Sequence, residues 1–381
     1  MYEPGKSQFS YLPFLWPAAF AAASASEAAA LIAEQFAKLA VGAEGEAPLE
    51  EPPWATPNAT ALDLKAVRLR DFSTAKTGTP TLLCAPFALH GATAVDFAPR
   101  HSLVGALRDA GVTRLFVTDW RSATADMRFR AIDDYLGDLN VLVDAIGGRV
   151  DLVGLCQGGW MALLYAARFP GKVRKLAIAG APVDTAAGHS GLSGLVEATP
   201  PRMFRQLVQL GDGRMLGQQA LKFWSPPTIE PADIHQLLQT PGPIESPESA
   251  ALAEAFRRWY AWTIDLPGTF YLEIVDQLYK RNALALGEFI ALGETVDLRA
   301  MKAPLYLLAA RDDELVAPEQ LFAAQRLVGT PPDQIVTAMA PCRHLGLFMG
   351  QTILAEHWRT IARWLGAAER PATERLANLV N

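Results

Sequence analysis

Residues 150–173 read VDLVGLCQGGWMALLYAARFPGKV, with one cysteine, Cys156, set between a β-branched run and an amphipathic stretch. The run VDLVGL at 150–155 has the length and residue types of a buried strand, and 158–169 carries apolar residues at helical spacing. A strand that turns directly into a helix leaves no room for side chains around the turn's central residue. Gly154 and Gly158, two positions before and two after Cys156, meet that steric demand. The bend lifts Cys156 above the sheet at the start of a helix, where free N–H groups favour the thiolate. The N–H of Gln157 faces the place where an oxyanion would form on a bound acyl group. The competing reading is a buried cysteine in a glycine-containing turn.

Working outward, further apolar runs of strand length occur at 81–86 (TLLCAP), 113–118 (TRLFVT), 173–179 (VRKLAIA), 304–310 (PLYLLAA) and 334–339 (QIVTAM). Helical patterns at 101–111, 133–147 and 317–328 separate most of them, and 350–366 closes the chain. Strands alternating with helices predict an α/β fold whose mostly parallel sheet is covered by helices on both faces. The stretch 184–296 breaks the alternation with SPPTIEP (225–231) and TPGPIESPE (240–248) and reads as an inserted, mainly helical cap over the sheet's C-terminal edge. Residues 42–60, rich in Pro, Gly and Glu, read as a linker. The expected organisation is a leader and linker at 1–60, a core made of 61–183 and 297–370, and a cap at 184–296.

A chain of 381 residues, half of them hydrophobic, can bury a large core, and its net charge of −6 with scattered basic residues argues against nucleic acid as a partner. Three widely separated cysteines give neither a disulfide framework nor a zinc pattern, which suits a reducing, cytoplasmic setting. No metal site, phosphate loop or dinucleotide fingerprint is present in the pattern, and no cofactor is expected. The apolar run at 11–24 and the ASA at 23–25 resemble a secretory signal, but Glu3 beside Lys6 leaves the leading segment without net positive charge. Pro13, Pro17 and Glu27 make a poor spanning helix, so no transmembrane span is expected. The preferred reading is an apolar leader followed by an amphipathic helix at 26–40, N-capped by Ser26, which packs on the domain or rests on an apolar surface such as a granule.

Partners for Cys156 lie at later strand ends. Asp312 and Asp313 follow the run at 304–310, and His344 follows 334–339 in a short loop before the closing helix. Of the six histidines only His344 has that position, and the order nucleophile, acid, histidine is that of an α/β-hydrolase. Asp313 is preferred over Asp312 because its spacing to Val316 suits a turn returning to a helix. Cys342 is a rival thiol without the glycine elbow, and Cys84 sits inside a predicted strand as core. The second oxyanion donor is expected from the Phe87–Ala88 backbone after the run at 81–86, in a loop that also carries His90 and Gly91. His90 and Trp160 are candidate substrate contacts, Trp160 alternatively packing its helix. Phe223, Trp224, Trp259, Tyr260 and Trp262 line an apolar channel or form the cap's own core.

GLCQGGW (154–160) with APVDT (181–185) resembles the lipase-like box of polyhydroxyalkanoate synthases, which are α/β-hydrolases with a Cys-Asp-His triad. TLLCAPFALHGATAVDF (81–97), FVTDW (116–120), IDDYL (132–136), IDLPGTFYLEIVDQLY (264–279) and HLGLFMG (344–350) are similar in outline to synthases and to intracellular polyhydroxybutyrate depolymerases. The resemblance implies the triad Cys156, Asp313 and His344. The glycine pair after Cys-Gln leans to synthases, whereas HGAT and the 264–276 stretch look like depolymerases, and Glu314 stands where synthases usually carry His. The expectation is therefore a cysteine-dependent hydrolase of poly(3-hydroxyalkanoate) or its oligomer esters. The alternatives are a synthase or acyltransferase using a 3-hydroxyacyl thioester of coenzyme A, and a non-catalytic granule protein. The substrate class is a polyester or an acyl ester or thioester; a granule surface and a second copy of the chain stay open as partners.

Overall fold

The computed structural model describes residues 50–224, 231–241, 243 and 246–368, with the side chains of 222–224 left aside. The leader, the amphipathic helix at 26–40 with its Ser26 cap, and the side chains of Phe223 and Trp224 lie outside the described residues. Eight strands form the main sheet: β1 (Ala59–Asp63), β2 (Val67–Asp71), β3 (Thr81–Cys84), β4 (Leu115–Trp120), β5 (Val150–Leu155), β6 (Val173–Ala179), β7 (Leu305–Ala310) and β8 (Ile335–Ala340). Their order across the sheet is β1-β2-β4-β3-β5-β6-β7-β8. Six strands run parallel; β1 and β2 pair antiparallel with each other, and β2 pairs antiparallel with β4.

The parallel strands are apolar on both faces because both are covered. In β7, Leu305, Leu307 and Ala309 enter one core, while Tyr306, Leu308 and Ala310 enter the other. The first core meets α2 (Ile132–Ala145) and α3 (Gln157–Arg168), through Tyr135, Leu139, Trp160 and Leu163. The second meets α1 (Leu103–Asp109) and the last helix, α10 (Arg359–Gly366), through Leu103, Leu107, Ile361 and Leu365. Ser102 caps α1, its hydroxyl accepting from the N–H of Gly105 at 2.7 Å. Lys175 on β6 reaches the carbonyl oxygens ending α10, 2.5 Å from Trp364 O and 2.6 Å from Ala367 O.

Between β6 and β7 the chain is mostly helical: α4 (Gly191–Ala198), α5 (Pro201–Leu210), α6 (Gly217–Trp224), α7 (Pro231–Leu238), α8 (Pro247–Ala261) and α9 (Gly268–Glu273). α9 runs into a π-helical turn, Ile274–Lys280. A clasp joins this segment to the chain leaving β6. Asn282, in the left-handed region at φ 48°, donates to Asp184 at 2.7 Å, and its carbonyl oxygen accepts from the Thr185 N–H at 3.0 Å. Arg326 pairs with the same Asp184.

Two readings change at the N-terminal side. The linker reading of 42–60 ends too late, because β1 begins at Ala59. The stretch before it is docked: the Trp54 ring lies 5.4 Å from Phe72, and Thr56 donates through both its N–H and its hydroxyl to Asp96 at 2.8 Å. Prolines and acidic residues mask this, since one buried aromatic and one buried carboxylate suffice to hold the segment. The helix expected at 317–328 divides into Pro318–Phe322 and Ala324–Leu327.

Candidate active site

Strand register fixes the elbow. Cys84 on β3 lies opposite Gly154 on β5, and Leu155 lies opposite Ala179 on β6, so the turn after β5 is held on both sides. Cys156 adopts φ 49°, ψ −120°, a conformation L residues rarely take, and the surrounding bonds hold it there. Its N–H donates to Ala179 O at 2.9 Å, and its carbonyl accepts from Gly159 N–H at 2.9 Å. Three glycines permit the close approach. A Cβ on Gly158 would stand 2.2 Å from Cys84 O, one on Gly159 would stand 2.3 Å from the Ala181 Cβ, and one on Gly154 would stand 2.6 Å from Gly159 Cα.

His344 and Asp313 meet beside this elbow. The His344 Nδ1 lies 2.8 and 3.0 Å from the two carboxylate oxygens of Asp313, and both side chains are almost wholly buried. A carboxylate only accepts, so the Nδ1 nitrogen carries the hydrogen and Nε2 is left with a lone pair. That Nε2 is buried, with no hydrogen-bond partner among the described residues. Burial pushes the His344 pKa down, but the charges of the Asp313 carboxylate and of the Cys156 sulfur as thiolate outweigh it and raise it well above the ordinary imidazole value, which favours the imidazolium once the ring has taken the thiol proton. Asp313 is itself set by a tight turn, Oδ1 accepting the N–H groups of Leu315 and Val316 at 2.9 Å each. Asp312 is exposed and engages Cys342 O through its N–H instead.

Gly180, at φ 55°, opens the space for the imidazole: a Cβ there would lie 3.2 Å from His344 Cε1 and 2.7 Å from Leu347 Cδ1. The Glu314 carboxylate accepts the His344 main-chain N–H at 3.4 Å. Burial, and then the Asp313 charge, raise its pKa above the ordinary carboxylate range. The same three carboxylates act on the rival thiol. Burial first, then Asp313, Asp312 and Glu314, push Cys342 up to about 12, and burial pushes Cys84 to about 12. Neither offers a thiolate near neutral pH.

The loop after β3 is pinned by Thr118 Oγ1, which accepts from Ala85 N–H at 3.0 Å, and by Trp120 Nε1, which donates to Ala85 O at 2.9 Å. Phe87 is fully buried, packed among the tilted rings of Trp120, Tyr135 and Phe270. Among the described residues, the main-chain N–H groups of Phe87, Ala88 and Gln157 have no acceptor. His90 lies against Trp259 and Tyr260, with ring centroids 4.6 and 4.8 Å away. Its Nδ1 donates to Trp262 O at 3.2 Å, which leaves Nε2 as an acceptor in the neutral ring. Burial lowers its pKa to about 4, so it stays neutral.

Trp160, expected among the substrate contacts, is fully buried, packs on Phe289, and donates through Nε1 to Gln157 Oε1 at 2.5 Å. It packs the helix rather than facing a pocket. Trp259 is buried too, against Phe256 and Phe97, as cap-side core. Gly180 and Tyr279, absent from the sequence expectations, also belong here. The hydroxyl of Tyr279, in the π-helical turn, accepts from Gln157 Nε2 at 3.4 Å. A glycine straight after the run VRKLAIA hinted at Gly180. No single-residue signal marked Tyr279.

Among curated proteins, the chain is 29% identical over 288 residues to a poly(3-hydroxyalkanoate) polymerase subunit PhaC of Synechocystis sp., covering 71% of this chain and 73% of that one. A like-named protein of Allochromatium vinosum is 26% identical over 263 residues, covering 66% and 71%. One of Haloferax mediterranei is 26% identical over 301 residues, and there the match spans only 56% of the relative's length. Among solved structures, a putative lipase of Acinetobacter baumannii AYE superposes with a TM-score of 0.50 at 14% identity, covering 90% of this chain and 97% of that one. A mutant epoxide hydrolase of Bacillus megaterium does so at 0.50 and 14%, covering 80% and 99%. At these identities the structures speak for the fold, that of the α/β-hydrolases. The sequence resemblance to polyhydroxyalkanoate synthases is met by the named relatives. A family model described as "Protein of unknown function (DUF3141)" matches residues 57–365, so the chain is an α/β-hydrolase-fold member of that family.

Proposed function

We propose that the protein is a cysteine-dependent acyltransferase that takes a 3-hydroxyacyl group from a thioester onto Cys156 and passes it to a hydroxyl acceptor, as a polyhydroxyalkanoate synthase would. The observation that carries the reading is the buried Asp313–His344 pair, its Nε2 unpartnered, beside the strand-to-helix elbow that presents Cys156. The relatives named as polymerases favour transfer to a growing chain over the hydrolysis expected from the sequence.

In this reading His344 Nε2 takes the Cys156 proton, and Asp313 holds the imidazolium. The thiolate attacks the acyl carbonyl, and the N–H groups of Gln157 and of Phe87 or Ala88 hold the oxyanion; each such donor is worth about 100- to 1,000-fold in rate. The coenzyme A thiol leaves with the proton from His344, and acyl-Cys156 remains. A chain-end hydroxyl then gives up its proton to His344 and attacks the thioester, extending the polyester. Neutral His90, with its free Nε2, is an acceptor for the hydroxyl of the bound 3-hydroxyacyl group. Residues 184–296 serve as a cap that limits water at the thioester. Localisation in the cytoplasm, at a polyester granule, follows from this reading; among the described residues no helix is long and apolar enough to cross a membrane.

Hydrolysis is the second reading, favoured by one feature: Glu314, an acidic residue beside His344, stands where the synthases the sequence resembles usually carry histidine. Offering 3-hydroxybutyryl-coenzyme A and amorphous polymer separately decides between the two. Coenzyme A release with an insoluble polyester supports transfer. Release of soluble acids from the polymer, without chain growth, supports hydrolysis. Full retention of either activity in Cys156→Ala would remove both readings.

A further inference from the structure

The two edges of the main sheet differ. At one, β1 is interrupted by a register shift between Thr60 and Leu62 and ends on Asp63, features that discourage further pairing. At the other, β8, with the sequence IVTAMA, pairs with β7 without interruption and carries neither charge nor proline. The Arg311 N–H donates to Ala340 O at 2.8 Å, so the main-chain groups of Ala340 face β7, and by alternation those of Ala338 and Val336 do too. The N–H and C=O groups of Thr337 and Met339 therefore point away from the sheet, and among the described residues nothing pairs with them. The side chains at this edge are bare as well: Val336 is 37% exposed and Met339 43%, one on each face of the sheet.

We propose that β8 is the interface with a second copy of this chain, the two strands pairing antiparallel about a twofold axis at Ala338 so that one sheet continues through both copies. An edge of free N–H and C=O groups takes another extended strand, and this strand is complementary to itself. Setting Thr337 of each copy opposite Met339 of the other engages both outward N–H groups and both outward C=O groups of each strand. A register shifted towards the start of the strand would need the N–H of Ile335, which already donates to Pro332 O. With the axis at Ala338, Val336 of each copy meets Ala340 of the other, a branched side chain against a small one. Charge agrees with this orientation. Asp333, just before the strand, comes beside Arg343, just after it, in the second copy, whereas a parallel pairing would set Asp333 against Asp333. Because β8 leads directly into the loop that carries His344, the pairing steadies that loop in both copies.

Sedimentation equilibrium and amide hydrogen exchange on the full-length protein test the inference, whatever the chemistry at Cys156. The expected result is twice the monomer mass at micromolar concentration, with the amides of Thr337 and Met339 protected. Thr337→Pro removes one outward N–H and suits an edge strand, because the bonds to β7 come from the alternate residues. Val336→Lys places a charge on the same edge. Each substitution should raise the dissociation constant of the dimer about tenfold or more, while Ala59→Lys on the exposed start of β1 leaves it unchanged. A monomer with unprotected amides overturns the inference. A monomer in which those amides are protected overturns it as well, by placing another segment of the same chain on the edge. A dimer that survives both β8 substitutions forms through a different surface, and that result also overturns it.

Discussion

At the scale of single residues, Asp313 and His344 form a unit whose hydrogen must sit on Nδ1. Asp313→Asn keeps the shape but presents an amide whose NH2 can meet Nδ1, turning the tautomer so that Nε2 carries the hydrogen and cannot accept the thiol proton. Acylation of Cys156 should then fall roughly 10³- to 10⁴-fold, read in single turnover by coenzyme A release, with little change in melting temperature. Titration gives a second expectation. Glu314 and His344 both hold their protons more tightly in the folded chain than in the unfolded one. The stabilisation tied to each is therefore complete below the unfolded pKa and is lost as pH rises through the folded value. Urea midpoints should decline from the ordinary carboxylate range upward, and Glu314→Gln should remove the lower-pH part of that decline. If the variant kept the full slope, Glu314 would not be the group responsible.

At the scale of elements, the elbow depends on how closely α3 sits on β3. Gly158→Ala would place a methyl group 2.2 Å from Cys84 O and 2.6 Å from Ala85 O, main-chain atoms at the end of a central strand and at the start of the pinned loop after it, which cannot step aside. The helix must move instead. We expect a loss of about 1–3 kcal/mol in chemical denaturation and acylation reduced far beyond what that loss explains, because Cys156 and the Gln157 N–H move with the helix. Gly137 on α2 is the contrasting position. Nothing lies within 4 Å of an added Cβ there, so the same substitution should leave activity intact.

At the scale of the molecule, the segment between β6 and β7 is tied to the core by the clasp of Asp184, Thr185 and Asn282. Asn282 serves both as a hydrogen-bonding hub and as a residue that tolerates the left-handed conformation. Asn282→Ala loses the hub and strains the turn. The expected outcome is a destabilisation of about 1–3 kcal/mol with faster limited proteolysis within 184–296 than within the sheet, mapped by mass spectrometry. Uniform protection of both regions would show that the clasp does not hold the segment in place.

What the sequence by itself determined is local. Period and length mark the strands at 150–155 and 173–179 to the residue, because central parallel strands are apolar throughout and a run with helical spacing separates them. The Gly154–Cys156–Gly158 spacing marks the elbow because it expresses a steric need that any fold would impose at such a turn. The placement of Asp313 and His344 after the last two parallel strands was legible for the same topological reason. Only the tertiary structure decided what depends on distance. It separated Asp313 from Asp312, since one carboxylate lies 2.8 Å from the imidazole and the other faces solvent. It turned Trp160 inward, docked Trp54, and brought Tyr279 from 122 residues away to the side chain of Gln157. A π-helical turn leaves no trace in a 3.6-residue pattern, and a hydrogen bond across the fold leaves none in the sequence near either partner.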